Sequence, residues 1–429
     1  MKAVILAAGA SSRMWPLAAD RHKAFEEICG KPLVEYAIQG LAQNGFSEII
    51  LIAGGRDEKR AHEVAARNQE KMKTEICVSN EHGGMGSELL QISDRLEGGA
   101  IIASGHSVGA GEAAGKIAAL GDCDAAFCAT ACDDVSEYGR VAIGGRDGTV
   151  EKIEEKPEGG GPGLRIVGTY RIGEEFMSAL EKVPQGHYSF EAALDSLVAK
   201  GRVKAALVEG YQPTLKYPWH LLALKNSIMD GATPKERQVA ESASVSKSAI
   251  IGGAVAVGEN SEVMENAVIK GPAVIGKNAK VMENAVIKGP AYIGDGVVVG
   301  TGTLVRDYSD LEDGAVAGFG CEIKNSLVFA GAHLHGSFAG DSIIGRNCRL
   351  GAGCVLANRR LDRASVKSAG KGGRMVDTGL GFFGAVLGAG ASMGVNASAM
   401  PGVKIGAGAA VLPNCVAKKD VKDCEAVGD

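Results

Sequence analysis

Residues 4–7, Val-Ile-Leu-Ala, run directly into Gly9-Ala10-Ser11-Ser12-Arg13. A strand that opens into small side chains leaves backbone N–H groups exposed to close approach, and a phosphate is the ligand such loops suit. Arg13 can grip a phosphate with two N–H donors and Lys23 can add a point charge. Gly9, Ser11, Arg13 and Lys23 are therefore the candidate nucleotide-binding residues. Far downstream, Arg306 and Lys324 stand eighteen residues apart. In a stretch that repeats with that period they fall on one face and can clamp a single phosphate. Ten cysteines are scattered without a C-x-x-C pair; Cys123, Cys128 and Cys132 come closest to a cluster. Buried thiols in a reducing compartment are expected rather than a metal site.

The elements that carry Arg306 and Lys324 are set by a repeat. The segment VMENAVIKGPA occurs at 263–273 and again at 281–291. Within it Ile251, Val257, Val263, Ile269, Ile275, Val281, Ile287, Ile293, Val299, Val305, Leu311, Ile323 and Phe329 sit on one six-residue grid, with Ala317 its one small member. Neither a helix nor a hairpin strand repeats every six residues. A solenoid with three short strands per eighteen-residue coil does, each strand sending one apolar side chain inward. Gly, Asn and Asp fill the corners, where positive φ is needed. That accounts for 62 glycines beside 5% aromatics. The grid resumes in a new phase at Phe338, Ile344, Leu350 and Leu356, breaks over 358–379, and returns at Leu387, Met393, Ile405 and Val411. Such breaks are loops thrown out of the stack, where function often resides.

The first half reads differently. After the small-residue loop, Gly30-Lys31-Pro32-Leu33 opens a helical stretch at 34–43, and a second strand follows at 48–53. Strands and helices alternate to about Asp230, which predicts a mostly parallel α/β sheet. The expected organisation is an α/β domain at 1–230, a polar linker at 231–245, and a solenoid at 246–429. A net charge of −5 without a basic block argues against nucleic acid or an anionic membrane as partner. Apolar stretches are strand-sized, so no membrane span is expected. A core strand starting at residue 2 leaves no room for a signal peptide, and a cytoplasmic location is expected.

LAAG-x-S-x-R-M-x-P-L at 6–17, Lys23, GKPL at 30–33, Glu155-Lys156-Pro157, Gly168 and Pro218-Trp219 together resemble the sugar-1-phosphate nucleotidylyltransferase pattern. With GSFAGDSIIG at 336–345, GAGCVLAN at 351–358 and PGVKIGAGA at 401–409, the chain is similar to archaeal bifunctional enzymes that make UDP-N-acetylglucosamine. Bacterial bifunctional glucosamine-1-phosphate enzymes look similar but more distant. The resemblance implies a Rossmann-like nucleotidyltransferase domain followed by a left-handed parallel β-helix. It also implies sugar 1-phosphate, nucleoside triphosphate and acetyl-CoA as substrates, and assembly as a homotrimer.

Residue by residue, the resemblance implies two unequal halves. Nucleotidylyl transfer crowds negative charge and normally needs Mg²⁺ held by carboxylates. The two positions that supply them in the family read His106 and Thr214, and the sugar-holding Asn reads Ile166. No metal ligand is assigned, and nucleotidylyl transfer is expected to be very weak or absent unless Asp122, Asp124, Asp133 or Asp134 moves in. Glu155 and Lys156 match sugar contacts. In the second half, Arg306 and Lys324 match the sugar-phosphate ligands, His335 matches the catalytic base, and Asn358 and Lys367 match residues of the completing loop. Three departures stand beside these: Phe338 replaces a Tyr, Ala364 replaces a second Lys, and the turn before His335 is one residue short, so His333 is a rival base. Acetyl transfer is expected to be the better-preserved reaction. The alternative is a non-catalytic homologue that binds nucleotide or sugar phosphate.

Overall fold

The computed structural model describes residues 2–79, 83–136, 138–145, 147–155, 157, 159–210 and 213–428. Lys156, an expected sugar contact, lies outside the described residues. The chain forms two compact units. The first comprises Met1–Ala10, Arg21–Glu26 and Pro32–Gln212; the second comprises Ser11–Asp20, Glu27–Lys31 and Pro213–Asp429.

The first unit is built on β1 (Lys2–Ala7), α1 (Leu33–Gln43), β2 (Glu48–Gly54), α2 (Glu58–Asn68), β3 (Lys73–Ser79), α3 (Met85–Leu90), β4 (Ala100–Ser104) and α4 (Ala110–Ala118). It continues with β5 (Ala125–Cys132), β6 (Gly139–Gly144), β7 (Thr149–Glu155), β8 (Gly163–Ile172), α5 (Glu174–Lys182), α6 (Ser189–Val198) and β9 (Val203–Leu207). Strand order is β3-β2-β1-β4-β8-β5-β9-β7-β6. β1 pairs in parallel with β2 and β4, while β8 runs antiparallel to β4 and β5. Because both faces are covered, β1 is apolar from Ala3 onward: Ala3, Ile5 and Ala7 enter one core, Val4 and Leu6 the other. α1 stops where Gly45 takes φ +86°, with its N–H on Ala42 O at 3.1 Å and Phe46 N–H on Leu41 O at 3.2 Å.

The second unit is the solenoid. Three parallel sheets of nine, ten and nine strands form its faces. Successive coils pair eighteen residues apart, Ala256 with Val274 on the first face, Val263 with Val281 on the second, and Ile269 with Ile287 on the third. The inward column of Val, Ile, Leu and Ala is fully buried. Asn260, Asn266, Asn278 and Asn284 hold left-handed corners at φ 53–57°, where their side chains tolerate that conformation.

Two details differ from the sequence reading. Phe329 and Phe338, placed on the inward grid, do not join the central column of the solenoid; Val328 and Ala339 do. The inward spacing drops from six residues to five three times, from Ile323 to Val328, from Leu334 to Ala339 and from Ala339 to Ile344, so the inward positions slip a residue each time. Phe329 faces outward but is covered by the Arg346 guanidinium, 4.5 Å from its ring centre. Further, the stretch expected as linker already holds solenoid strands, Gln238–Val239 and Ser244–Val245. The preceding helix α7 (His220–Ala232) groups with the second unit.

The segment Glu27–Lys31 also packs on the solenoid. Cys29 N–H donates to Asp310 Oδ2 at 2.9 Å and Gly30 N–H to Glu312 at 3.1 Å. Arg346 pairs with Glu27 at 3.2 Å. Asp310 and Glu312 are both buried. Burial above all raises their proton affinities, that of Asp310 to about 6 despite the Cys29 N–H and the Lys225 ammonium, which oppose the rise. Among the described residues no helix is long and apolar enough to cross a membrane.

Candidate functional site

Arg306 and Lys324 occupy equivalent positions in adjacent coils: Leu304 pairs with Glu322, Val305 with Ile323, and Arg306 N–H bonds Ile323 O at 2.7 Å. Both lie where the third face turns toward the first. Neither is a bare cation. Arg306 pairs with Glu322 at 3.0 Å, and Lys324 with Asp341 at 3.3 Å. Asp341 is buried and also accepts from Asn325 Nδ2 at 2.8 Å and Asn358 Nδ2 at 2.6 Å. Lys324 and Asn358, assigned separately from sequence, thus meet on one carboxylate. Lys324 and Arg359 both approach the exposed Phe382 ring, 4.5 and 4.7 Å from its centre. Asp341, Asn325 and Arg359 were missed. Asp341 and Asn325 carry positive φ, 47° and 44°, and a non-glycine corner residue was the available signal.

His335 sits at the other end of the third face, on the corner where the second face ends. Its ladder position is shared by Gly300, Gly318, Gly351 and Gly394 in neighbouring coils. A lone side chain in a row of glycines stands beside open space. That space is a cleft of about 590 Å³, lined by His333, His335, Arg349, Val395, Leu412 and Pro413 among others. His333 and Arg349 stack on the second face, in register with Val316 and Ser392. Arg349 Nη1 contacts His333 Nδ1. Guanidinium nitrogens only donate, so that ring nitrogen accepts and the His333 proton sits on Nε2. Burial, and then the charge of Arg349, lower the proton affinity of His333. His333 is thereby neutral with its lone pair engaged. Arg349 was not foreseen.

Lys367 is exposed on the first strand of a hairpin, Lys367–Ala369 with Met375–Asp377, inside the loop between the coils. It pairs across the hairpin with Asp377, not with the Asp341 cluster.

In the first unit, Gly9 takes φ +102°, a conformation that favours glycine. The carbonyls of Gly9 and Ala10 accept from Arg56 at 3.5 and 3.4 Å. Arg56 also pairs with the buried Asp57, which accepts the His22 N–H at 2.8 Å. Gly105 packs tightly between Ala7 and Ala24, which sets His106 near His22 and Lys23 at the carboxyl ends of β1 and β4. Open α/β sheets bind ligands at that edge. His22 is held neutral: burial first, then Lys23 and Arg56, push its proton affinity down to about 3. Burial and the same lysine hold His106 well below the ordinary histidine range, and its Nδ1 is buried without a hydrogen-bond partner.

This chemistry does not fit Mg²⁺. A neutral imidazole beside an ammonium offers a hard dication neither charge nor oxygen. Of the four alternative carboxylates three are engaged elsewhere, and Asp133 is exposed just past the end of β5. Asp122 and Asp124 are held by Arg202, at 3.3 and 2.8 Å, at the start of β5. β5 and β4 both run against β8 and so run parallel, which puts those aspartates at the sheet edge opposite His106. Asp134 is spent on the Ser136 N–H and hydroxyl, both at 2.9 Å. Among the described residues no group of three His, Cys, Asp or Glu could hold a metal. Glu155 ends β7 opposite Gly139, exposed, near the half-buried Tyr170 and Glu191. Ser11 and Arg13 belong to the second unit; Ser11 takes φ +50° and Arg13 is exposed on a short 3₁₀ turn, Ser12–Met14. Thr214 in the same unit offers only a hydroxyl.

Comparison with known proteins adds the following. Residues 2–215 match the nucleotidyl transferase family model, and 272–307 match the bacterial transferase hexapeptide (six repeats) model. The chain is 28% identical over 426 residues to a bifunctional sugar-1-phosphate nucleotidylyltransferase/acetyltransferase of Sulfurisphaera tokodaii, covering 98% of each. It is 31% identical over 429 residues to the bifunctional protein GlmU of Methanococcus maripaludis strain C7, covering 98% of this chain and 96% of the relative. A second such protein, from Methanococcus maripaludis strain S2, is 28% identical over 429 residues, with the same coverage.

Proposed function

Since the chain belongs to the family of bifunctional sugar-1-phosphate nucleotidylyltransferase/acetyltransferases, we propose that it is a transferase of UDP-N-acetylglucosamine synthesis whose acetyl transfer is better preserved than its nucleotidylyl transfer. The observation that carries this reading is the contrast between the two candidate sites. The cleft beside His335 keeps a base and a cavity; the surroundings of His106 pair neutral imidazoles with a lysine, and among the described residues no group of three His, Cys, Asp or Glu could hold a metal.

The geometry supports a definite substrate pose. Arg306 and Lys324 close the third face and His335 opens it, so a substrate reaching both lies across Glu322 and Phe338, which pair in register between them. The sugar phosphate takes the place of Glu322 and Asp341 on the two cations. The amino group then points toward the His335 corner, with acetyl-CoA in the cleft. His335 takes a proton from the amine as its nitrogen attacks the thioester carbonyl, and the intermediate expels the CoA thiolate, which takes up a proton. His333 is the weaker candidate, because its Nδ1 already faces Arg349. Phe338 supplies an apolar surface under the sugar in place of the Tyr hydroxyl.

For the first unit a second reading is favoured by Lys23 and the neutral His22 around His106: it binds a nucleotide without transferring it. The test offers the purified protein acetyl-CoA with glucosamine 1-phosphate, following free thiol. In parallel it offers UTP or dTTP with N-acetylglucosamine 1-phosphate and Mg²⁺, following pyrophosphate. Thiol release without pyrophosphate release is expected. His106→Asp together with Thr214→Asp should raise pyrophosphate release. Robust nucleotide-sugar synthesis by the unmodified chain would overturn the assignment.

A further inference from the structure

Lys404 is a buried ammonium to which the acetyl-transfer reading gives no part. It lies at 2% exposure on the first face, beside the inward Ile405. Its Nζ stands 5.9 Å from the centre of the Trp15 ring and 5.4 Å from that of Trp219, and donates to Ala369 O. Each partner belongs to a segment already singled out. Trp15 follows Arg13 by two residues in the signature loop, and its indole N–H is anchored on Asp423 at 3.0 Å. Trp219 ends the stretch that carries Thr214. Ala369 belongs to the hairpin whose first strand begins at Lys367.

The hairpin is gripped at two more points by the same neighbourhood. Ser368 Oγ donates to Gly402 O at 2.8 Å. Tyr217 stacks on Trp219 with ring centres 4.4 Å apart, and a Cβ on Gly370 would sit 3.4 Å from the Tyr217 ring. Two segments that carry nucleotidyltransferase-like motifs therefore meet at the base of this hairpin, and the ammonium of Lys404 is their common contact. All these residues lie within the second unit.

We propose that Lys404 is a positioning residue that couples a nucleoside triphosphate held at Arg13 to the hairpin presenting Lys367 for acetyl transfer. The inference rests on the assignments of Arg13 to phosphate and Lys367 to the acetyl-transfer site. A phosphate that draws Arg13 displaces Trp15 relative to the ammonium. The ammonium redistributes between the two indoles and the Ala369 carbonyl, and the base of the hairpin follows. A ligand shifts such an element only through its differential contacts with the two arrangements, and Arg13 supplies them.

The chain carries its own reporter, because its two tryptophans are the two that flank Lys404. The experiment uses the full chain and UTP, with and without Mg²⁺. Calorimetry measures UTP binding, tryptophan emission reports the Lys404 environment, hydrogen exchange follows residues 367–377, and the KM for glucosamine 1-phosphate is measured with and without UTP. Expected are UTP binding, an emission change, altered exchange in the hairpin, and a KM shift of about fivefold or more. Lys404→Met should keep UTP affinity and lose both hairpin responses, and Lys404→Arg should restore part of them. UTP binding with neither hairpin exchange nor KM responding in the unmodified chain overturns the proposal, as does an absence of UTP binding. A hairpin that responds to UTP in a protein without acetyl transfer refutes the functional reading and leaves the coupling standing.

Discussion

At the scale of single residues, the competition between two histidines turns on what already occupies their ring nitrogens. His333 has its Nδ1 lone pair against a guanidinium, while His335 stands in a row of glycines facing the cleft. His335→Ala should therefore lower kcat for acetyl transfer by roughly 10²–10⁴, the usual worth of a general base, with acetyl-CoA affinity unchanged. His333→Ala should cost far less, and equal mild losses from both would remove His335 from the mechanism. The phosphate clamp yields a prediction of opposite sign for two neighbours. Arg306 is neutralised by Glu322 at 3.0 Å, so a sugar phosphate must displace that carboxylate. Arg306→Ala should raise KM about tenfold with little change in kcat, the mark of lost ground-state binding. Glu322→Gln should lower KM, because the competing anion is gone. Initial-rate kinetics over a range of glucosamine 1-phosphate separate the two, and an unchanged KM in both variants would place the phosphate elsewhere.

At the scale of elements, the segment Glu27–Lys31 leans on two buried, adjacent carboxyl groups. Asp310 has one oxygen on the Cys29 N–H and its Oδ1 without a partner, next to Glu312, which takes the Gly30 N–H. Their proton affinities are raised by burial, and for Glu312 also by Asp310; Lys225 opposes the rise at Asp310, while Glu27 and Asp313 add to it at Glu312. A raised carboxyl in the folded state binds its proton more tightly than in the unfolded chain. Its contribution is complete below the ordinary carboxylate range and is lost as pH rises through about 6. The melting temperature should therefore fall between pH 5 and pH 8. Asp310→Asn keeps an acceptor for Cys29 and removes the charge, so it should flatten that fall and gain about 1–2 kcal/mol at pH 8. A calorimetric series that shows parallel curves for the two proteins would refute the account. Little of this segment was legible in the sequence, because its partners lie some 280 positions away. The solenoid was legible because its period is local: Val263, Ile269 and Ile275 name their own faces. The slip that turns Phe329 and Phe338 outward was visible only as a change of phase. Three one-residue shortenings fall at corners, where no side chain marks the count. The meeting of Lys324 with Asn358 through Asp341 needed the fold, since a coil brings together residues that spacing alone leaves independent.

At the scale of the whole molecule, the question is whether the His335 cleft is complete in one copy of the chain. Apolar side chains crowd the faces beside it. Val355 and Val416 lie in register on the third face at 40% and 42% exposure, with Met400 at 45% nearby. Phe319, Val395 and Leu412 on the adjoining corner are exposed to 70%, 50% and 45%. Val395 and Leu412 also line the cleft itself. Exposed apolar side chains grouped in this way mark an association surface, and a homo-oligomer closes such surfaces by point symmetry. A prism with three flat faces suits a threefold arrangement, in which each copy's third face and corner meet the next copy. Light scattering at micromolar concentration should then give about three times the 44.0 kDa chain mass. The double change Val355→Asp and Val416→Asp puts two charges on this surface and leaves the inward column of Leu356, Ala399 and Ala417 untouched. It should yield a folded monomer, judged by an unchanged circular dichroism spectrum. That monomer should lose acetyl transfer, although His335, Arg306 and Lys324 are all present, because the wall supplied by the neighbouring copy is gone. A monomer of full activity would mean that the cleft is self-sufficient and that these apolar side chains have some other partner.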